Sequence, residues 1–143
     1  MRGSVLFIII ISFLVSNCTT GVKLKKNDFN QLFHGGNSRM WMVSSIVFNG
    51  IDYALKNEKK NFFSFDDTGM CYYQTYNEET KKVIKSAKYE ISDFGKKIKI
   101  EFKKKNEIWD FNIKSKSIDK IELISNKKSD VQMSLTLIPF PEL

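Results

Sequence analysis

The sequence is poor in the residues that hydrolytic and zinc sites require. Its 143 residues include a single histidine, His34. Any Ser-His-Asp or Cys-His machinery would have to use this side chain, which lies at the end of a predicted helix and beside two glycines. A helix C-terminus favours a histidine on electrostatic grounds, so its position needs no catalytic explanation. Since zinc needs several His or Cys ligands, we expect no metal and no other cofactor.

Carboxylates are plentiful, but they form no catalytic pattern. Glycoside hydrolysis needs two carboxyl groups across a cleft. The chain has 16 acidic residues, so any of them could form such a pair by chance, and their presence does not indicate this activity. Asp66 and Asp67 could contact Ca²⁺, but two acids before Thr68-Gly69 are more typical of a turn. We therefore expect no catalytic residues and no enzyme activity.

One long apolar run is present, at residues 5–15, and it follows the positive charge of Arg2. A membrane-spanning helix needs roughly 20 apolar residues, so this run is too short to be one. A short basic start followed by an apolar stretch of this length is the layout of a secretory signal. We predict that residues 1–17 are such a signal.

The end of the apolar run indicates the type of signal. Residues 14–18 are Leu-Val-Ser-Asn-Cys, which resembles the lipobox of bacterial lipoproteins. The resemblance implies cleavage after residue 17, acylation of Cys18, and a lipidated tether over residues 18–26 that attaches the protein to a membrane. Residues 19–23 contain no acid, which in lipoprotein sorting favours the periplasmic face of the outer membrane. The alternative is an ordinary secretory signal with an incidental cysteine.

The remaining chain is basic. Without Arg2, it carries 22 basic and 16 acidic residues, a net charge of +6. The lysines lie in short clusters beside predicted turns, where they solvate hairpin ends; the alternative is attraction to anionic lipid head groups or acidic glycans. Nucleic acid is not an expected partner, because the chain is exported and has no nucleic-acid motif. If Cys18 is acylated, Cys71 has no disulfide partner, and we expect a buried, inert thiol.

Residues 27–143 have the pattern of one small β domain. Asn27 is a plausible N-cap for a two-turn helix whose apolar side chains share one face. From residue 39 the period changes to two, and about eight strands follow with turns of two to five residues between them. Turns are predicted at residues 49–50, 66–69, 77–80 and 93–96. The alternating faces include residues 41, 43, 45 and 47 in the first strand and residues 131–137 in the last.

This alternation predicts an all-β fold of antiparallel strands with one dry and one wet face. We favour an up-and-down eight-stranded barrel with a short N-terminal helix, because closure removes exposed strand edges; a β-sandwich is the alternative. A membrane-spanning barrel is not expected, since the wet face carries Lys and Glu.

The order of short helix, glycines, Trp41 and strand meander resembles small bacterial lipocalin-like lipoproteins over residues 27–138. In lipocalins this tryptophan closes the barrel floor, with a basic residue of the last strand stacked on it. This chain departs from the lipocalin pattern at two points. Residues 131–137 contain no Arg or Lys, and Gly36 lies five residues before Trp41 instead of at the usual Gly-x-Trp spacing. The resemblance implies binding of apolar molecules inside the barrel. The candidate ligand-binding residues are Trp41, Phe65, Tyr89, Trp109 and Phe111.

Two functions follow as expectations. The first is a lipid-anchored binding module that carries a small apolar ligand. The second is a protein-interaction lipoprotein, either an accessory subunit of an envelope machine or an inhibitor of a cell-wall enzyme. This second expectation is based on the aromatic cluster in residues 62–65 and 72–76, which puts rings on both strand faces. One set of rings is then exposed to solvent or to a partner.

Overall fold

The structure, a computed structural model, describes residues 28–54, 60–76 and 82–141. The predicted signal, Cys18, the tether, Asn27 and the turn at residues 77–80 lie outside these residues. The described part contains one helix and nine strands: α1 (Asp28–His34), β1 (Ser38–Phe48), β2 (Ile51–Asp52), β3 (Lys60–Asp66), β4 (Met70–Tyr76), β5 (Val83–Ser92), β6 (Lys97–Phe102), β7 (Glu107–Lys116), β8 (Ile121–Ser125) and β9 (Ser134–Pro139).

Eight of the strands close into an antiparallel barrel. From β3 to β9 each strand pairs with the next along the chain, and β1 pairs with both β3 and β9. The two-residue strand β2 extends the wall beside the end of β1. The predicted barrel with one short helix is confirmed, and the β1–β9 pairing excludes the sandwich. This architecture fits a lipocalin-like fold.

The two-residue period explains most of the wall. In β6, Ile98, Ile100 and Phe102 are buried while Lys97 and Glu101 are exposed. Strands β5, β7 and β9 repeat the pattern, so the inward side chains form one continuous apolar core. Hydrophobic burial on alternate positions therefore selects the face that each strand turns inward.

Two register shifts interrupt this period, one in β1 and one between Ile113 and Ser115 in β7. The prediction that Trp41, Val43, Ser45 and Val47 share one face is wrong beyond Val43, because the β1–β9 register shifts between Val43 and Ser45. A bulge inserts one residue and exchanges the two faces. As a result, Ile46 packs against the core in place of its neighbours.

The last strand is shorter than predicted. It begins at Ser134, whereas residues 131–137 were expected to form it. Val131 and Met133 still pack against the core from the preceding loop. The Ser125 hydroxyl holds this loop, because its one proton is shared between the carbonyl oxygens of Val131 and Met133, at 2.9 and 2.8 Å.

Helix α1 covers one end of the barrel, which we call the closed end. Phe33 is fully buried there, with its ring edge-on to that of Phe65 at a centroid distance of 5.2 Å. The indole Nε1 of Trp41 donates to the Phe33 carbonyl at 2.9 Å. At the opposite end, β5 and β7 begin and β6 ends; we call this end the mouth. No helix in the described residues is long and apolar enough to cross a bilayer.

Candidate functional site

A pocket of about 380 Å³ opens at the mouth, beside the start of β5. This volume is within the range of roughly 300–1,000 Å³ that is typical of small-molecule sites. Its walls come from β4, β5, β6, β7 and the turn between β6 and β7. The lining residues are Tyr72, Val83, Ile84, Lys85, Ser86, Phe102, Lys104, Lys105, Glu107 and Trp109.

Unequal strand lengths create the opening. Strand β5 begins at Val83, but its pairing with β6 starts only at Ala87, opposite Phe102. The first four residues of β5 therefore extend past the end of β6, and the chain turns at residues 103–106 into β7. Asn106 completes that turn in the left-handed region, with φ of 49°. The gap between the extended strand and this turn is the entrance.

The floor of the pocket is aromatic and held in place. The ring of Trp109 lies 4.6 Å from that of Phe102 and 5.5 Å from that of Tyr73 by centroids, both edge-on. Its Nε1 donates to a Glu107 carboxylate oxygen at 2.5 Å, which fixes the indole and satisfies its polar end. Trp109 is only 9% exposed, so a ligand would meet a preformed apolar surface.

The rim carries more positive than negative charge. Lys85, Lys104 and Lys105 line it together with one acid, Glu107. Since the Glu107 carboxylate already accepts the Trp109 hydrogen bond, the three lysines supply the net positive charge of the rim. An apolar floor below a cationic rim suits a molecule with an apolar body and an acidic head.

The five predicted ligand-binding residues are all buried in the barrel, but they lie at different depths. Trp109 lines the mouth pocket, and Trp41, Phe65, Tyr89 and Phe111 do not. These four pack the core nearer the closed end; the Phe65 and Tyr89 rings, for example, are 5.0 Å apart and edge-on. The Tyr89 hydroxyl donates to the Asp66 carbonyl at 2.6 Å, and burial raises the pKa of Tyr89.

Sequence reasoning missed the cation that stacks on Trp41. Arg39, two residues earlier on the same strand, places its guanidinium carbon 4.4 Å from the centre of the Trp41 ring. The guanidinium also donates to the carbonyls of Leu32, at 3.4 Å, and Ile118, at 3.1 Å. The i, i+2 spacing on a strand was the available signal, because it puts both side chains on one face.

The other sequence candidates have structural roles. His34 Nδ1 accepts a hydrogen bond from the Gly36 amide at 2.9 Å, where it caps the end of α1. The Asp66 carboxylate accepts from Thr68 and Met70 within the β3–β4 turn. Burial raises the pKa of the Cys71 thiol to about 12, so it is protonated and inert at neutral pH. The described residues contain no group of three or more potential metal ligands.

Comparison with known proteins supports the fold. The structure is similar to the crystal structure of an uncharacterized protein from Bacteroides eggerthii DSM 20697, with a TM-score of 0.55 and 12% sequence identity. The match covers 71% of this chain and 98% of the other. No protein-family model matches the sequence. No curated protein matches it either.

Proposed function

We propose that this protein is a lipid-anchored binding module of the bacterial envelope that holds a small apolar ligand with an acidic head. The observation that carries the proposal is the mouth pocket, with Trp109 and Phe102 as its floor and lysines on its rim. Burial of apolar ligand surface supplies the affinity, and the lysines supply orientation.

The packing of the barrel defines how deep the ligand reaches. Phe63, Phe65 and Phe111 are fully buried behind Trp109, and the Trp109 ring is 6.2 Å from that of Phe63 by centroids. A ligand therefore stops at the indole and stays near the mouth. Of the five residues expected from the sequence to bind ligand, Trp109 is the one that we assign to direct contact.

The envelope location rests on the N-terminal sequence. The apolar run at residues 5–15 and the lipobox-like segment ending at Cys18 support export and acylation. Several buried acyl chains hold a protein far more firmly than the marginal grip of one, at about 0.8 kcal/mol per methylene. The absence of acids in residues 19–23 favours the periplasmic face of the outer membrane.

The ligand proposal is tested with dodecanoate and dodecanol, which share an apolar chain and differ in head charge. Tryptophan fluorescence of the purified protein reports binding, because Trp109 lines the pocket. We expect saturable binding of dodecanoate and weaker binding of dodecanol. The double variant Lys104→Gln/Lys105→Gln should weaken dodecanoate binding about tenfold, or about 1.4 kcal/mol, and leave dodecanol unchanged.

The matched control removes two charges elsewhere. Lys127 and Lys128 are also adjacent lysines, but they lie outside the mouth pocket. Lys127→Gln/Lys128→Gln should leave the affinity for dodecanoate unchanged. Equal losses from the two double variants would show that net charge, and not the rim, attracts the ligand. Absence of saturable binding would refute the proposal.

The second candidate function is a protein-interaction lipoprotein. The outward faces of β4 and β5 support it: Tyr76 is 51% exposed, and Tyr72 and Ile84, which also line the mouth pocket, are 36% and 53% exposed. Exposed tyrosines that form a patch are common at protein interfaces. Its test is crosslinking in intact envelopes: a stoichiometric partner that is lost in Tyr76→Ser and kept in Tyr53→Ser would support this function over ligand carriage.

A further inference from the structure

The closed end exposes two large apolar side chains at the tips of neighbouring turns. Phe94, between β5 and β6, is 81% exposed, and Ile118, between β7 and β8, is 64% exposed. Within the described residues these are the two most exposed large hydrophobic side chains. Transfer of such side chains from water to an apolar environment is favourable, so the pair is suited to contact with an apolar partner.

The outward direction of Phe94 is built into the turn. Asp93 and Phe94 both have left-handed backbone, with φ of 52° and 53°, which is unfavourable for a bulky residue. Lys116 holds the turn by donating its Nζ proton to the Gly95 carbonyl at 2.9 Å. The Ile113 amide donates to the Lys96 carbonyl at 2.7 Å. The backbone at Phe94 is therefore strained while its ring is exposed, and strain of this kind is common at functional sites.

The Ile118 turn is fixed in a similar way. The Ser117 amide donates to the Lys120 carbonyl at 2.8 Å, which closes the turn. Arg39, already stacked on Trp41, donates to the Ile118 carbonyl at 3.1 Å. Hydrogen bonds from Lys116 and Arg39, both on barrel strands, therefore fix the two turns that carry the apolar tips.

Lysines surround the two tips. Residues 93–97 and 116–120 contain four lysines and two aspartates. Lys96 and Lys120 are exposed beside Phe94 and Ile118. Lys97 and Lys120 also form exposed ion pairs with Asp93 and Glu122, at 3.8 and 3.4 Å, which solvent screens. Apolar tips flanked by lysines match the interface of a bilayer with anionic lipids, where the tips enter the head-group layer and the lysines meet the lipid charges.

The chain reaches this same end from the proposed anchor. Helix α1 begins at Asp28, ten residues after Cys18. Its Phe29 ring lies 5.2 Å from Lys116 Nζ, so the helix start and the Phe94 turn are neighbours. Ten extended residues span at most about 36 Å, so an acylated Cys18 keeps the start of α1 within that distance of the bilayer, which allows the closed end to reach it.

We propose that the closed end seats on the membrane surface with Phe94 and Ile118 in the head-group layer, so that the mouth faces away from the lipid. This orientation rests on the acylation of Cys18 in the proposed function. It leaves the mouth pocket open to ligands from the aqueous side.

The test uses nitroxide labels on the mature protein, purified from membranes and reconstituted into phosphatidylethanolamine vesicles with one quarter phosphatidylglycerol. Phe94→Cys and Ile118→Cys each introduce one exposed thiol, while acylated Cys18 and buried Cys71 do not react. We expect both labels to be several-fold less accessible to an aqueous nickel chelate than to oxygen. The matched control, Tyr76→Cys at the mouth, should stay open to nickel.

A second variant tests the contribution of the ring. Adding Phe94→Ser to Ile118→Cys should restore nickel access to the label at position 118, whereas adding Tyr53→Ser should not. Mass spectrometry of the N-terminal peptide separates the two proposals: an unacylated Cys18 would remove the anchor and the seating together. In acylated protein, labels at 94 and 118 as open to nickel as the mouth label would overturn the seating alone. If the label spectra were broadened by spin–spin coupling and the labels were not shielded by lipid, the tips would contact a second copy of the protein and not the membrane.

Discussion

Single residues inside the barrel keep their polar atoms paired. In the part of the chain that the structure describes, no buried side-chain nitrogen or oxygen lacks a hydrogen-bond partner. Trp41 and Tyr89 reach backbone carbonyls near the closed end, and Trp109 reaches Glu107 at the mouth. A buried polar group without a partner would cost about 1–3 kcal/mol. Large aromatic rings can therefore fill this core without a polar penalty.

Asp66 predicts a dependence of stability on pH. Its partial burial raises the pKa, but hydrogen bonds from Thr68 and Met70 outweigh burial, so the pKa lies below its ordinary value. The ionised carboxylate therefore stabilises the folded state above the unfolded pKa of about 3.9, and this contribution is lost as pH falls through the folded pKa. Asp66→Asn should lower the free energy of unfolding at pH 7, and the difference from wild type should shrink towards pH 3.

Urea denaturation at the two pH values measures this effect. Asp67→Asn, at the adjacent exposed position, is the control and should leave stability unchanged at both. A deficit for Asp66→Asn that is equally large at pH 3 and pH 7 would show that lost turn geometry, and not charge, is responsible.

The sequence identifies buried residues better than it identifies the site. Alternation tells which face of a strand a side chain occupies, and Trp41, Phe65, Tyr89, Trp109 and Phe111 are indeed buried. Depth along the barrel axis depends on how far each strand extends past its neighbour. The overhang of β5 beyond β6 is a matter of pairing register, and so the sequence could not single out Trp109 as the residue at the pocket.

At the scale of elements, regular strands were predictable and bulges were not. The register of β1 against β9 shifts between Val43 and Ser45. Nothing in the sequence around Ser44 marks this shift. In the structure the Ser44 hydroxyl donates to the Thr136 carbonyl at 3.2 Å, a contact 92 residues away in the chain. Long-range pairing of this kind decides where the extra residue is placed.

The contact between α1 and the β5–β6 turn depends on Gly95. A Cβ at this position would lie 2.6 Å from the Phe29 ring and would also overlap Lys116 Nζ. Its φ of +77° adds backbone strain for any other residue. Gly95→Ala should therefore displace Phe29 and destabilise the protein by about 1–3 kcal/mol in addition to the strain.

Gly36→Ala separates these two effects. Gly36 also has positive φ, +96°, but a Cβ there would have no atom within 4 Å. It should show the backbone strain alone, about 1–2 kcal/mol, in a thermal denaturation series. If Gly95→Ala were no more destabilising than Gly36→Ala, the helix start would not be packed on the turn as described.

At the scale of the whole molecule, the strand pattern leaves closure open. A sandwich and a barrel turn the same side chains inward, so alternation cannot separate them. The decisive contact is the pairing of β1 with β9, in which Trp41 lies opposite Pro139. Closure also gives the molecule two chemically different ends, one with a pocket and one with a helix and exposed apolar tips.

A chain of ring contacts connects these ends and predicts a single unfolding transition. Phe33 contacts Phe65 at a centroid distance of 5.2 Å, Phe65 contacts Phe63 at 5.5 Å, and Phe63 contacts Trp109 at 6.2 Å. Because the closed end and the mouth share this core, neither should unfold before the other.

The two tryptophans allow the two ends to be observed separately. Trp41→Phe leaves Trp109 as the reporter of the mouth, and Trp109→Phe leaves Trp41 as the reporter of the closed end. Within each variant, the urea midpoint from fluorescence should coincide with that from far-UV circular dichroism, even if the variants differ in stability. Since each comparison is internal, a stability loss from either substitution does not affect it. A Trp109 signal that changes at lower urea than the dichroism would mean that the mouth opens independently, and the ring chain would then not join the two ends into one cooperative unit.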